Sequence, residues 1–385
     1  MKKPAHNRIL AGIIVLILAS GVVIPLDVVA QTPANKYPRL ANYYLNPDIT
    51  VAQAQKLARW DVVILGAELQ YAHPEVFPIL RKRNPNITLL VYMPSEEVPL
   101  THASITDPNH PFYQLYRGIE EAWWLTGADG RRFGSWPGTN MLNVTDSAPQ
   151  ANDVRWNQYL PQFIHDHIMS TGLWDGIFYD NVWPGIAWLN DGNIDINGDG
   201  ANDSAETVDA AWRDGMAKLL ARSRDLEGKN AIIIGNGGGQ YYTSMNGRII
   251  EDFPYQQDGG WSGDMQIYFD VLKKAYLPPF FIINGITSTG GATDYQTLRY
   301  DLASTLLGNG YFSFDKGATE HAALWVYDEY ETSLGAPQNN AYNVFRKQQK
   351  TFNAGVWRRD FANGIVLVNS SDRPRRVDLL DGFEK

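Results

Sequence analysis

Eight short apolar runs recur between residues 40 and 315, most of them followed by a stretch with helical periodicity, and this alternation restricts the fold more than any other feature of the 385-residue sequence. The runs cover 40–45, 62–65 (leading to Glu68), 87–92, 176–182, 231–234, 248–253, 280–283 and 311–315. They are rich in Val, Ile, Phe and Tyr with little polar alternation, as strands covered on both faces are. Strands that alternate with helices call for a parallel sheet with crossover connections. Val208, Ala211, Trp212, Met216, Leu219 and Leu220 recur at steps of three and four, which predicts a helix with one apolar stripe. Thr293 and Gln296 predict a capping box ahead of Leu298, Leu302 and Leu306, with Gly308 as the stop. Weaker stripes at 154–168 and 265–275 predict further helices.

Eight such alternations over about 300 residues favour a closed (β/α)8 TIM barrel, an α/β fold, over an open doubly wound sheet. The open sheet usually carries a glycine-rich phosphate loop after its first strand, whereas here Asn46-Pro47-Asp48 follows. The barrel is expected over 37–353, closing with a helix near 341–352. Residues 354–385 then predict a short antiparallel β appendage, with strands at 356–361, 365–369 and 376–380, either packed on the barrel or the start of a longer β domain.

Composition narrows the function. With 33 basic against 42 acidic residues the net charge is -9, which opposes attraction to nucleic acid and to anionic membrane surfaces. The absence of cysteine removes disulfides, thiolate zinc sites, iron–sulfur clusters and cysteine nucleophiles. Residues 1–30 read as a signal peptide or an N-terminal membrane anchor: Lys2, Lys3 and Arg8 precede an apolar run to Leu26, and Val28-Val29-Ala30 offers a cleavage site. The folded part is then secreted or otherwise extracytoplasmic, touching a membrane only if that segment stays uncleaved. Cleavage would remove Asp27 with the three basic residues and take the charge from -9 to -11.

In such a barrel the chemistry lies at the carboxyl ends of the strands. The fourth run ends in Tyr179-Asp180-Asn181 and the sixth in Ile250-Glu251-Asp252. Two carboxylates on nonadjacent strands can face each other across a pocket, as glycosidic cleavage requires: one attacks or steadies the anomeric carbon and one protonates the leaving oxygen. Asp180 is the nucleophile candidate and Glu251 the acid/base candidate. Asp252 competes with Glu251, because alternate residues point to opposite faces and a slip of one exchanges them. Glu68, Glu96, Glu97 and Asp315 are further rim carboxylates suited to sugar hydroxyls, and Asn181 joins them. Asn236 follows the fifth run, where an amide cannot act as the acid but can bind substrate. Tyr43, Tyr44, Trp136, Trp183, Trp188, Tyr255 and Trp261 fall in the expected top loops, where aromatic faces stack on sugars. Together they favour a polysaccharide or oligosaccharide ligand.

The sharpest local motif is Asp195-Ile196-Asn197-Gly198-Asp199-Gly200 with Glu206 five residues on, which fits a twelve-residue calcium loop. Asp195, Asn197 and Asp199 would supply side-chain oxygens, Ala201 its carbonyl, Asp203 a direct or water-bridged ligand and Glu206 a bidentate one. A structural Ca2+ ion is therefore expected in the fourth strand-to-helix connection. The glycine run 235–239 lacks the Gly-Lys-Ser/Thr of a phosphate loop, and His165 and His167 lie two apart on a predicted helix, facing different ways.

The stretches 174–181 and 60–65, the loop 197–200 and the closing 363–369 resemble hypothetical glycosyl hydrolase family 15. The resemblance implies a TIM barrel, a glycosidase activity and a carbohydrate substrate that the family does not define. Barrel α-galactosidase and α-glucosidase clans carry a nucleophile on strand four and an acid/base on strand six. Asp180 and Glu251 match those positions, with Glu in place of the clans' Asp on strand six. The expected function is a glycoside hydrolase acting on a polysaccharide or glycoconjugate with retention. The rival expectation is a non-catalytic carbohydrate-binding or cell-surface protein on a degenerate barrel.

Overall fold

The computed structural model describes residues 36–317 and 320–379. The expected export or anchor segment, 1–30, lies outside them. The eight apolar runs form β1 Ala41–Tyr44, β2 Val62–Gly66, β3 Thr88–Pro94, β4 Gly176–Val182, β5 Ile232–Gly237, β6 Gly247–Phe253, β7 Phe280–Ile286 and β8 Tyr311–Asp315. They pair in sequence order and in parallel to make one eight-stranded sheet. A parallel bridge between Leu40 and Phe312 brings the last strand back to the first, so the sheet is a nearly closed barrel.

Side-chain parity divides the core in two. Tyr43, Val62, Ile64, Leu90, Phe178, Ile232, Ile234, Ile249, Phe280, Ile282 and Tyr311 form one buried cluster, the barrel interior. Their strand neighbours, including Val63, Leu89, Ile177, Ile233, Ile250 and Phe281, belong to the larger cluster between sheet and helices. Both faces of each strand are thus covered, which is why the runs show so little polar alternation.

The helices that matter most for the site are α1 Val51–Leu57, α2 Val76–Arg83, α3 Trp156–His167, α4 Ala205–Glu227, α5 Gly260–Lys274 and α6 Tyr295–Leu306. Helix α4 buries Val208, Trp212, Met216, Leu219 and Leu220, the stripe read from the sequence. Helix α6 is capped by Asp294, whose carboxylate accepts from the Thr297 N–H at 3.2 Å, in place of the expected Thr293.

The C-terminal part departs from expectation in two places. No helix forms over 341–352, because the Asn343 side chain accepts from the backbone N–H groups of Phe345 and Arg346, both at 3.0 Å, and a polar turn replaces a helical one. Tyr342–Asn343 instead forms β9, which pairs antiparallel with the central strand β10 Val356–Phe361, and β10 in turn pairs antiparallel with β11 Gly364–Asn369. The expected strand at 376–380 is absent over the described 376–379: these mostly exposed residues follow Arg373-Pro374-Arg375, whose like charges and proline give a strand no apolar face. The three-stranded sheet docks through Trp357, whose ring centroid lies 6.3 Å from that of Trp261 on α5, and through Arg359, which donates to the Leu306 and Gly308 carbonyls at the end of α6.

Strand closeness sets one sharp requirement. A β-carbon at Gly176 would lie 1.9 Å from the Ile232 carbonyl oxygen, so only glycine lets β4 meet β5 there. Gly176→Ala should cost about 2–4 kcal/mol of stability by forcing the strands apart. Chemical denaturation checks this, and a variant as stable as wild type would contradict the packing.

Candidate active site

Inward parity carries polar side chains to the carboxyl end of the barrel. Two residues beyond the inward Leu90, Phe178, Ile234 and Ile249 stand Tyr92, Asp180, Asn236 and Glu251, and Tyr43 joins them from β1. These five border one pocket of about 670 Å3, whose loop walls include Asn46, Glu97, Trp136, Asn181, Trp183, Lys316, His321 and Trp325.

A pair of bulges shapes the rim. Between Tyr179 and Val182, β4 carries one residue more than β5, and between Ile250 and Phe253, β6 carries one more than β7. The extra residues leave Asn181 and Asp252 left-handed, at φ 56° and 54°, a conformation that Asn and Asp tolerate better than other side chains. Glu251 therefore stays on the pocket wall, whereas Asp252 turns out to solvent and acts electrostatically on Asp301 instead. The structure thereby separates the two strand-six candidates by position.

Three donors converge on Asp180: the Tyr92 hydroxyl at 2.7 Å, the Asn181 N–H at 2.8 Å and the Asn236 amide at 3.2 Å. The Asn236 amide also favours the ionised form of Glu251. Burial, and then the charge of Asp180, push the Glu251 carboxyl up to about 7, against the opposing pull of His321 and Asn236. Relative to an ordinary Glu, that environment disfavours the ionised form by about 3 kcal/mol. Glu97 accepts from the hydroxyls of Ser135 and Thr139 and sits on the pocket wall. Glu96 lies beneath it, fully buried, and burial followed by repulsion from Glu97 raises its carboxyl well above the usual range.

No local sequence pattern marks His321 as part of the site. Its Nδ1 lies 2.7 Å from the buried Asp315 carboxylate, its Nε2 3.9 Å from Glu251, and its ring stacks on Tyr43 at 3.9 Å between centroids. Burial lowers its pKa, but Asp315 and then Glu251 and Asp180 outweigh this and raise it. The loop that carries it is tied over β1 by hydrogen bonds from Leu45 N–H to the His321 carbonyl at 2.6 Å and from Asn42 to the Ala323 carbonyl at 3.0 Å.

Tyr43, Trp136, Asn181, Trp183 and Asn236 thus stand in the pocket with Asp180 and Glu251. The other expected contacts lie off its wall. Tyr44 has the opposite parity to Tyr43 and is buried on the helix side. Glu68 folds over Gly66, where a β-carbon would meet its carboxylate at 2.3 Å, off the pocket wall. Tyr255 is exposed outside the pocket, its N–H donating to Asp264 at 2.6 Å. Trp261 is buried in α5, donates to Ser304 at 2.8 Å and packs on Phe352 and Trp357. Asp252 and Trp188 are exposed outside the pocket, and Glu96 is buried behind its wall. Asp315 reaches the pocket only through His321.

The 195–206 segment runs from the connection after β4 into the first turn of α4. Asp195 is buried and its carboxylate accepts from the N–H groups of Asn197, Gly198 and Gly200 at 3.2, 2.7 and 2.8 Å. Asp199 accepts from Ala201 N–H at 2.8 Å, Asp203 from Ile196 N–H at 2.9 Å, and Glu206 stands in the first turn of α4. Among the described residues no three His, Asp or Glu side chains are grouped as a metal centre requires.

Residues 81–365 match the family described as hypothetical glycosyl hydrolase family 15. No curated protein matches the chain. Among solved structures it is similar to the chitinase domain of the spore coat protein CotE from Clostridium difficile, at 15% identity and TM-score 0.29 over 57% of this chain and 51% of that one. It is also similar to the carboxyl transferase domain of Rhizobium etli pyruvate carboxylase, solved with pyruvate and biocytin, at 9% identity and TM-score 0.32 over 72% and 40%. The chain spans about half or less of the length of both.

Titration of Glu251 is directly measurable. Carboxyl carbon NMR should place Glu251 near 7, lower it in Asp180→Asn, where a repelling charge is lost, and raise it in His321→Gln, where an attracting one is lost. Because the folded protein holds this proton more tightly than the unfolded chain, stability falls as pH rises from about 4.5 through about 7, and Glu251→Gln removes that share. A wild-type Glu251 titrating in the ordinary carboxyl range would contradict the electrostatics.

Proposed function

The chain belongs to hypothetical glycosyl hydrolase family 15, and on that premise we propose that it hydrolyses O-glycosidic bonds of a polysaccharide or glycoconjugate with retention, using Asp180 and Glu251. The observation that carries this reading is the pairing of a carboxyl held near half-protonation at neutral pH with a second carboxylate oriented by three donors, in one pocket walled by Trp136, Trp183 and Trp325.

In the first step Asp180 attacks the anomeric carbon while Glu251 gives its proton to the departing oxygen, leaving a glycosyl ester on Asp180 and a free alcohol. In the second, the Glu251 carboxylate takes a proton from water, the water oxygen attacks the anomeric carbon, and the ester bond to Asp180 breaks. The effect of the Asp180 charge on Glu251 supports a close pair, as retention requires at about 5 Å, in contrast to the about 6.5–9.5 Å of inverting pairs. His321, oriented by Asp315, steadies Glu251 when it is ionised between the steps. Glu97 and Asn181 suit sugar hydroxyls, and the indole faces suit the apolar face of a pyranose. The N-terminal segment is consistent with action outside the cytoplasm.

A calcium ion in the 195–206 loop belongs to the same reading, as a structural brace between β4 and α4. The spacing of oxygen donors and the left-handed Gly198 and Gly200, at φ 76° and 80°, support it. Binding would require Glu206 to close on Asp195 and Asp199.

Against a panel of polysaccharides, Glu251→Gln should lose about 10²–10⁴-fold in turnover while remaining folded, and wild-type activity should fall above pH 7 as the acid ionises. Asp180→Asn should be inactive. Full activity in either variant removes that residue from the chemistry, and sugar binding without any product favours a non-catalytic role. For the loop, calcium at a hundredfold excess over its Kd should add about 2.7 kcal/mol of stability, and Asp199→Ala should abolish the gain. A melting temperature indifferent to calcium and to chelator would remove the ion.

A further inference from the structure

We propose that a shallow groove beside the catalytic pocket, bordered by Trp183 and Trp188, is an additional sugar subsite filled by another ring of the same glycan whose scissile bond lies at Asp180. This rests on the glycosidase reading and makes the substrate a polymer whose chain continues beyond the pocket.

The groove measures about 290 Å3 and is lined by Trp183, Pro184, Gly185, Trp188, Asp209 and Arg213. Trp183 also lines the catalytic pocket, so the two cavities share a wall three residues beyond Asp180. Trp188 is 66% exposed, an unusual position for the largest apolar side chain, which gains most from burial. Its ring meets that of Trp183 edge-on, with centroids 5.5 Å apart.

The segment that holds Trp188 outward is firmly built. Ile186 and Leu189, on either side of it, are buried beneath the loop. One Asp209 oxygen accepts from the N–H groups of Ile186 and Ala187 at 2.8 and 2.9 Å, which ties the loop to α4. At Gly185 a β-carbon would meet that same oxygen at 2.3 Å, so the glycine admits the carboxylate. Directly after Trp188 and Leu189, Asn190 and Asp191 take left-handed conformations, at φ 47° and 53°, and turn the chain away. A loop anchored from below on both sides of an outward indole presents the ring at low entropic cost to a ligand.

The chemistry fits a pyranose. Its C–H face packs on indole, and the exposed Arg213 at the groove edge offers guanidinium donors to ring hydroxyls. A subsite outside the pocket means that affinity grows with chain length and that cleavage can fall within a polymer.

The test uses Asp180→Asn protein, to prevent cleavage, run through native gels containing glycol chitin, hydroxyethylcellulose, soluble starch or polygalacturonate. Adding Trp188→Ala should weaken retardation by about tenfold in affinity, and Trp188→Phe should restore most of it. Leu277→Ala, a change at another exposed apolar residue, should leave retardation unchanged. If Trp188→Ala is retarded like its parent in every gel that retards the parent, the subsite is wrong while the glycosidase reading stands. If no gel retards the parent and wild type cleaves none of these polymers, both fail for this range of substrates.

Discussion

A parallel strand inside a closed barrel can send only every second side chain inward, and the site depends on that constraint more than on any single contact. Once Leu90, Phe178, Ile234 and Ile249 fill the interior, Tyr92, Asp180, Asn236 and Glu251 must emerge together at its carboxyl end. The two bulges then act at the rim. Each inserts one residue on the strand that bears a carboxyl, opposite an asparagine on the next strand: Asp180 and Asn181 face Asn236, and Glu251 and Asp252 face Asn284. Bulges between parallel strands are rare, and two of them at matching depth mark this rim as a place where strand regularity yields to side-chain direction.

The electrostatics follow from that placement. Glu251 is buried among the walls of the pocket, and Asp180 adds a negative charge that an ionised Glu251 would have to face. His321 opposes both effects from the far side, backed by the buried Asp315. These opposing terms leave the Glu251 proton near the midpoint of its titration at neutral pH, where a group can give and take it with little driving force wasted. The aromatic supply of the chain is divided among three tasks: Trp136, Trp183 and Trp325 wall the pocket, Trp188 stands outside it, and Trp261 and Trp357 join the barrel to the C-terminal sheet.

Much of this was legible in the sequence, for identifiable reasons. Strands buried on both faces leave unbroken apolar runs, so all eight were found, and the acidic residues at their ends named Asp180 and Glu251. Parity, applied strictly, would also have found Tyr92, two residues beyond Leu90, and would have excluded Tyr44, the neighbour of inward Tyr43. Other features left no local signal. His321 lies six residues past Asp315 in a loop whose path is fixed by Leu45 and Asn42, far away in sequence. Trp261 looked like a rim aromatic because its true neighbours, Phe352 and Trp357, come about ninety residues later. The sequence pattern points to a third appendage strand after β11, but that strand lies before β10, since two residues, Tyr342 and Asn343, are too short a run to show any period.

The central claim is that Asp180 forms the glycosyl bond while Glu251 moves the proton. A fluorinated glycoside that slows breakdown of a covalent intermediate, followed by mass spectrometry of the digested protein, tests it most directly. The account predicts a single sugar adduct on Asp180. An adduct on any other carboxylate, or turnover with inversion and no adduct at all, would contradict it.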